Sequence, residues 1–258
     1  MTRRRGYEGL WSDDEDETPK SGPADGDLTP KRLDWLARAA KDPHLYLWGK
    51  DPETDRPVIH TLDAFDKENR IKPLPLHKGK PWAVHHELVE ILAVRQESRV
   101  LIEKVRQVMF SWFAVLLMDH LCRFAPYRRA LFMKSTKDEA VKVVGERWEV
   151  VNQHLPEWVK VHSPGTWMKS DGVVVFGKTE SRIMTAGENV EEREARGDQI
   201  DKAVVDECAL HPRLADIVGA LEPMAAQIVL ATTPQLGPGA LYVETIINEG
   251  REKAEEDE

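Results

Sequence analysis

Three groups of polar residues stand directly after apolar runs, and their types suit one chemistry. Lys104, Arg106 and Ser111 follow Val100, Leu101 and Ile102. Asp206 and Glu207 follow Ala203, Val204 and Val205. Thr232 and Thr233 follow "IVLA", residues 228–231. Ammonium and guanidinium groups neutralise phosphate. A serine hydroxyl and an aspartate carboxylate are hard oxygen donors of the kind Mg2+ takes. Glu207, one residue further on, has a carboxylate that can orient or deprotonate a water. The threonine hydroxyls can hydrogen-bond a terminal phosphate or that water. Together these groups have the chemistry of a metal–nucleotide site.

Each group also has an ordinary reading. An Asp-Glu pair after an apolar run often begins a solvated loop, and "LATTP" can be a plain turn. Lys104 and Arg106 can be surface charges. The common phosphate-loop pattern G-x-x-x-x-G-K-[ST] fails here at three of its four fixed positions. With Ser111 as its last residue, Lys104 and Met109 fall on the glycines and Phe110 on the lysine. The missing cation can come from earlier in the loop, because a side chain need only reach the phosphates.

The elements that must position these residues alternate. A strand is expected over Arg99–Ile102, a helix over Ser111–Phe124 and a strand over Arg129–Lys134. A second helix is expected over Lys137–His154, with Thr136 and Glu139 as a capping box and Pro156 as its stop. "GVVVFGKTESRIMTAG" reads as a hairpin. "DKAVVDECAL" and "AQIVLATTP" read as two further strands, with a helix over Leu214–Leu221 between them. Such alternation predicts an α/β domain with a mostly parallel sheet flanked by helices and an added β-hairpin. Ligands bind at the carboxyl ends of such strands, where all three groups would converge.

Residues 1–30 read as an acidic disordered tail, 31–80 as a helical and irregular lead-in, 81–248 as the main domain and 249–258 as an acidic tail. Thr29 and Pro30 are suited to start a helix. Residues 1–27 carry four basic and eight acidic side chains, and 249–258 two and six. The net charge of −9 therefore lies almost wholly in the ends, and a near-neutral middle can still carry a basic face. No apolar run reaches the roughly 18 residues a membrane span needs. Two cysteines, Cys122 and Cys208, make no disulfide framework, and a reducing cytoplasmic setting is expected. Cys208, Trp148 and Trp158 read as packing residues, and His211 as a polar loop residue. The nine histidines show no zinc-like spacing with the cysteines.

The motifs in their order resemble those of the viral large terminase subunits of tailed phages. "EKVRQVMFSW" is similar to that family's variant Walker A motif, K-x-R-Q-x-G-x-[ST]. Lys104, Arg106, Gln107 and Ser111 match, and Met109 replaces the usual glycine. "KAVVDECAL" resembles its Walker B motif, "LATTPQLGPGALY" its coupling motif, and "RRALFMKSTKDEA" its second strand and helix. Arg196-Gly197 resembles a pair seen before its Walker B. The resemblance covers roughly residues 80–248.

It implies a RecA-like P-loop ATPase of the ASCE type, using ATP and Mg2+ to drive double-stranded DNA into a procapsid. By that resemblance Lys104, Arg106 and Gln107 contact the phosphates, and Ser111 and Asp206 hold Mg2+. Glu207 activates water, and Thr232 and Thr233 couple hydrolysis to movement. Arg196 is the candidate arginine finger. His86, or its neighbour His85, stands where an adenine-contacting residue is expected, and Trp82 is placed to stack on the base. The implied partners are a portal protein, a small terminase subunit and other copies of the chain in a ring, in the host cytoplasm. Met109 implies weak ATP binding by the isolated chain, tightened on ring assembly. No stretch resembles the family's nuclease domain, so no DNA cleavage is expected: the sequence is either an ATPase fragment or is partnered by a nuclease on a separate chain. Two rivals stay open: another nucleic-acid-stimulated, helicase-like ATPase, and a docking module with a decayed nucleotide site.

Overall fold

The structure, a computed structural model, describes residues 26–62, 70–77, 80–81, 83–104, 109–188, 199–234 and 237–256. Two short helices come first, α1 (Pro30–Ala39) and α2 (Pro43–Trp48). Thr29 caps α1 by accepting from the Arg32 N–H, with Pro30 in the first turn. Two small antiparallel pairs follow, β1 (His60–Leu62) with β2 (Ile71–Pro73) and β3 (Leu76–His77) with β4 (Lys80–Pro81). Helix α3 (Ala83–Val89) continues into a π-helical turn over Glu90–Val94.

The main sheet then begins with β5 (Arg99–Glu103), α4 (Phe110–Phe124), β6 (Arg129–Met133) and α5 (Lys137–His154). After α6 (Glu157–His162) come β7 (Gly165–Met168), β8 (Val173–Phe176) and β9 (Ser181–Ala186). β10 (Ile200–Asp206), α7 (Leu214–Leu221), β11 (Ala225–Thr232) and α8 (Ala240–Glu256) complete it. The helix α8 thus runs on through residues 249–256. Among the described residues no helix is long and apolar enough to cross a membrane.

The strand order is β5-β11-β10-β6-β9-β8-β7. The first five run parallel, and β8 and β7 extend one edge antiparallel. The expected hairpin is β8–β9. β7 is an addition that the sequence did not signal, because it has four residues, half of them exposed. Its Trp167 lies so close to α5 that a Cβ on Gly145 would meet the indole at 2.8 Å. A glycine in that helix interior therefore serves packing.

Side chains on a strand alternate between faces, and the two cores follow that period. Val204, Val229, Ala231, Ala130 and Phe132 join the core under α4 and α5. Ala203, Val205, Ile228, Leu230, Leu131 and Met133 join the core under α7. Both faces of the sheet are covered, which is why its strands read as continuous apolar runs. The lead-in is packed into the same body: Trp35, Leu36, Tyr46 and Leu47 belong to the α4–α5 core.

A buried ion pair ties the lead-in down. Arg32 donates to Asp51 through Nη2 at 2.9 Å and Nε at 3.4 Å. Trp158 Nε1 and the Glu53 N–H also donate to that carboxylate. Burial raises the Asp51 pKa, but these donors outweigh it and hold the carboxyl below its ordinary value. A depressed folded pKa gives stability that is present above the unfolded value and lost as pH falls through the folded one. Wild-type stability should therefore fall on acidification below about pH 4. Asp51→Asn should be less stable at pH 7 and show a shallower acid loss, as read by urea unfolding across a pH series.

Candidate active site

The parallel strands end together, and their last residues meet at one edge. Asp206 closes β10 and is 1% exposed. A carboxylate so buried needs partners, and it has them on both oxygens. Ser111 Oγ, in the first turn of α4, donates to Asp206 Oδ2 at 2.7 Å. The Glu207 N–H donates to Oδ1 at 3.1 Å. Lys104 Nζ lies 3.6 Å from Oδ1, and Lys134 Nζ 3.9 Å from Oδ2. Serine hydroxyl and carboxylate oxygens side by side are a donor set that fits Mg2+. The α4 N-terminus is also suited to an anion.

Glu207 sits beside this pair with a left-handed backbone, φ 57° and ψ 41°. That conformation is uncommon for a residue with a Cβ, and such strain gathers at functional sites. Its carboxylate accepts from Lys134 Nζ at 2.6 Å. Burial raises the Glu207 pKa, but the bond and charge of Lys134, with Lys104 and His211 behind, bring it below the ordinary value.

β11 stands between β5 and β10, so the threonines lie between the loop strand and the carboxylate strand. Thr232 is buried, and its carbonyl accepts from the Lys104 N–H at 2.8 Å. Its hydroxyl donates to the Thr233 carbonyl at 3.1 Å and is also hydrogen-bonded with Cys208. The chain beyond the threonines returns to the turn that follows Glu207. The Gly239 N–H donates to the Ala209 carbonyl at 2.9 Å, and a Cβ on Gly237 would meet that same oxygen at 2.3 Å. Strand end, carboxylate turn and the start of α8 are thus in direct contact.

Met109 precedes α4 with φ 56° and ψ 20°. Its carbonyl accepts from the Trp112 and Phe113 N–H groups. This is the position where the resembling motif has glycine, and it is left-handed, the region glycine enters without penalty. A side-chain-bearing residue there costs roughly 1–2 kcal/mol. Contact of Met109 with the core offsets part of that cost. Met109→Gly should tighten binding of an ATP analogue by roughly 5-fold, worth about 1 kcal/mol, as measured by calorimetric titration. Unchanged or weaker binding would count against the left-handed position as a limit on affinity.

The structure brings together Lys104, Ser111, Asp206, Glu207 and Thr232, with Thr233 next in the chain. Arg106, Gln107, Arg196 and Trp82 lie outside the described residues. His86 is exposed and its ring stacks on His44 at 4.4 Å, while His85 is buried against Phe113. His211 lies outside the helices and strands but is fully buried, and its Nε2 lies 3.3 Å from the Asp206 carbonyl. Cys208, Trp148 and Trp158 are buried as expected. Burial and the Asp206 charge push the Cys208 thiol up to about 12, which keeps it unreactive.

Two cations were missed. Lys134 follows "RALFM", and the rule that ligands gather at strand ends would have found it. Arg147 lies on α5 with its guanidinium 5.5 Å over Trp112. Burial lowers its pKa, and Asp206 acts the other way. Nothing in its helical context marks it in the sequence.

No model of a known protein family matches the chain, and no curated protein matches it. Solved structures do. The HK97 bacteriophage large terminase aligns over 74% of this chain and 39% of its own, at 8% identity and a TM-score of 0.54. The ATPase domain of the Thermus phage P74-26 large terminase aligns over 60% of this chain and 66% of its own, at 17% identity and a TM-score of 0.47. At these identities the likeness is one of fold. The fold is α/β, with a mostly parallel central sheet between helices. Over the aligned part, that architecture is shared with the HK97 bacteriophage large terminase.

Proposed function

We propose that this chain is the ATPase part of a viral DNA-packaging motor, hydrolysing ATP with Mg2+ to move double-stranded DNA into a procapsid. The observation that carries the ATPase reading is the convergence of Ser111, Lys104 and Glu207 around the buried Asp206. Packaging rests on the motif resemblance, with the shared fold in its favour.

Ser111 and Asp206 would hold Mg2+, which when bound neutralises phosphate charge. Lys104, together with Arg106 and Gln107 from the loop, would hold the phosphates. Water attacks the γ-phosphorus, the bond to the β–γ bridging oxygen breaks, and ADP leaves. Glu207 orients that water and takes its proton. Lys134 keeps the Glu207 carboxylate ionised and fixed. Thr232 and Thr233 would pass the change at the carboxylate turn to α8, through the contacts of Gly237 and Gly239. Arg196 would serve a neighbouring copy's γ-phosphate in a ring on the portal protein. Trp82 is proposed on the adenine side. A small terminase subunit completes the proposed partners, in the host cytoplasm.

The test is phosphate release by the full chain with ATP and Mg2+, alone and with double-stranded DNA and portal. Release stimulated by DNA and portal is expected. Release stimulated equally by single-stranded DNA without portal would favour a helicase-like motor. No release under any condition would favour a docking module.

A further inference from the structure

A second cluster joins α2 and α3. His44 on α2 and His86 on α3 offer ring nitrogens, and Glu90 offers a carboxylate. Their ligand atoms all lie within 4.8 Å of one another. His44 Nε2 is already 2.8 Å from Glu90 Oε1, and the two imidazole rings stack at 4.4 Å. His86 and Glu90 are four residues apart, which puts them on one helix face. Glu90 is where the helix turns π-helical, with the Arg95 N–H bonded back to the Glu90 carbonyl. Single π turns gather at functional sites because they re-aim side chains.

The geometry points to a transition-metal site, with His44, His86 and Glu90 as three ligands of a Zn2+ ion. Two imidazoles and one carboxylate suit zinc far better than Mg2+ or Ca2+, which take oxygen sets. Three protein ligands leave a fourth position for water or another group. Zinc–ligand lengths near 2.0–2.2 Å put tetrahedral ligand atoms roughly 3.4 Å apart. The widest pair must therefore close by at most roughly 1.4 Å, within reach of side-chain rotation for the exposed His86. The ion would clasp α2 to α3. His44 also stacks on Trp48, and Trp48 and His85 both pack on Phe113, two residues after Ser111. A clasp here would brace the lead-in against the first turn of α4.

The test titrates Zn2+ into the metal-free full chain at pH 7.5 by calorimetry, with Mg2+ in large excess to keep the oxygen site out of the reading. His86→Ala and Glu90→Gln are run beside it; both change ligands without emptying a core. One zinc per chain is expected, weakened at least about 10-fold in each variant. Zinc should also raise the wild-type unfolding temperature by about 3 °C or more, and neither variant's. Absence of saturable binding, or equal binding in all three proteins, would overturn the site. So would loss of ATP-analogue binding in His86→Ala with no zinc bound to wild type, which would assign His86 to the base instead. Because these ligands are separate from Ser111, Asp206 and Glu207, failure here leaves the ATPase reading intact.

Discussion

Glu207→Gln is expected to lower ATP turnover by roughly 100- to 10,000-fold, the usual worth of a general base. Nucleotide binding should change little. The amide has the size of the carboxylate, and its oxygen can still accept from Lys134. It cannot take a proton from water. The wild-type carboxylate is ionised at neutral pH, since Lys134, Lys104 and His211 outweigh the burial that would raise its pKa. Its position is held by a left-handed backbone and by the Lys134 bond at 2.6 Å. Single-turnover phosphate release and analogue binding, measured on the same protein, separate the two effects. Turnover within a few-fold of wild type would remove Glu207 from the reaction.

The second large effect is on folding. Asp119→Ala should destabilise the chain by about 3–5 kcal/mol, the cost of stranding a buried charge. Asp119 is fully buried on α4. Arg123 donates to both of its oxygens, from Nε at 2.8 Å and from Nη2 at 2.9 Å. Trp148 Nε1 donates at 2.8 Å, and the Tyr46 hydroxyl donates as well. Arg123 Nη1 continues to the Ser163 carbonyl at 2.6 Å, with the guanidinium over Phe176. One carboxylate thus ties α2, α4, α5 and β8 together. Burial and the Asp119 charge push the Tyr46 hydroxyl pKa well up, so it remains a donor. Removing Asp119 leaves the arginine, the phenol and the indole N–H without their acceptor. Urea unfolding measures the loss, and a change below about 1 kcal/mol would show that the network does not hold the lead-in to the core. A larger loss than for a surface pair is expected, since exposed pairs contribute about 0–1 kcal/mol.

The parallel sheet was legible because its strands are buried on both faces and separated by helical stretches with stop signals such as Pro156. The candidate edge was legible for the same reason: polar residues after apolar runs mark strand ends. Lys134 obeyed that rule and was passed over. Other features left no local mark. Gly145 accommodates an indole 22 residues away, and the Asp119 network spans residues 46–163. Nor could spacing reveal the His44, His86 and Glu90 set, because α2 and α3 meet only in the folded chain. Met109 departs from the resembling motif, and only the backbone shows the kind of position it fills. It holds a left-handed position that glycine would occupy more easily.

The most direct measurement is calorimetric binding of a non-hydrolysable ATP analogue with Mg2+ to the full chain, beside Asp206→Asn and Ser111→Ala. A phosphate site at the β5, β10 and β11 ends predicts one analogue per chain, dependent on Mg2+ and weakened at least about 10-fold in both variants, a loss of about 1.4 kcal/mol or more. Absence of binding at any concentration that drives assembly, or binding indifferent to both substitutions, would contradict it.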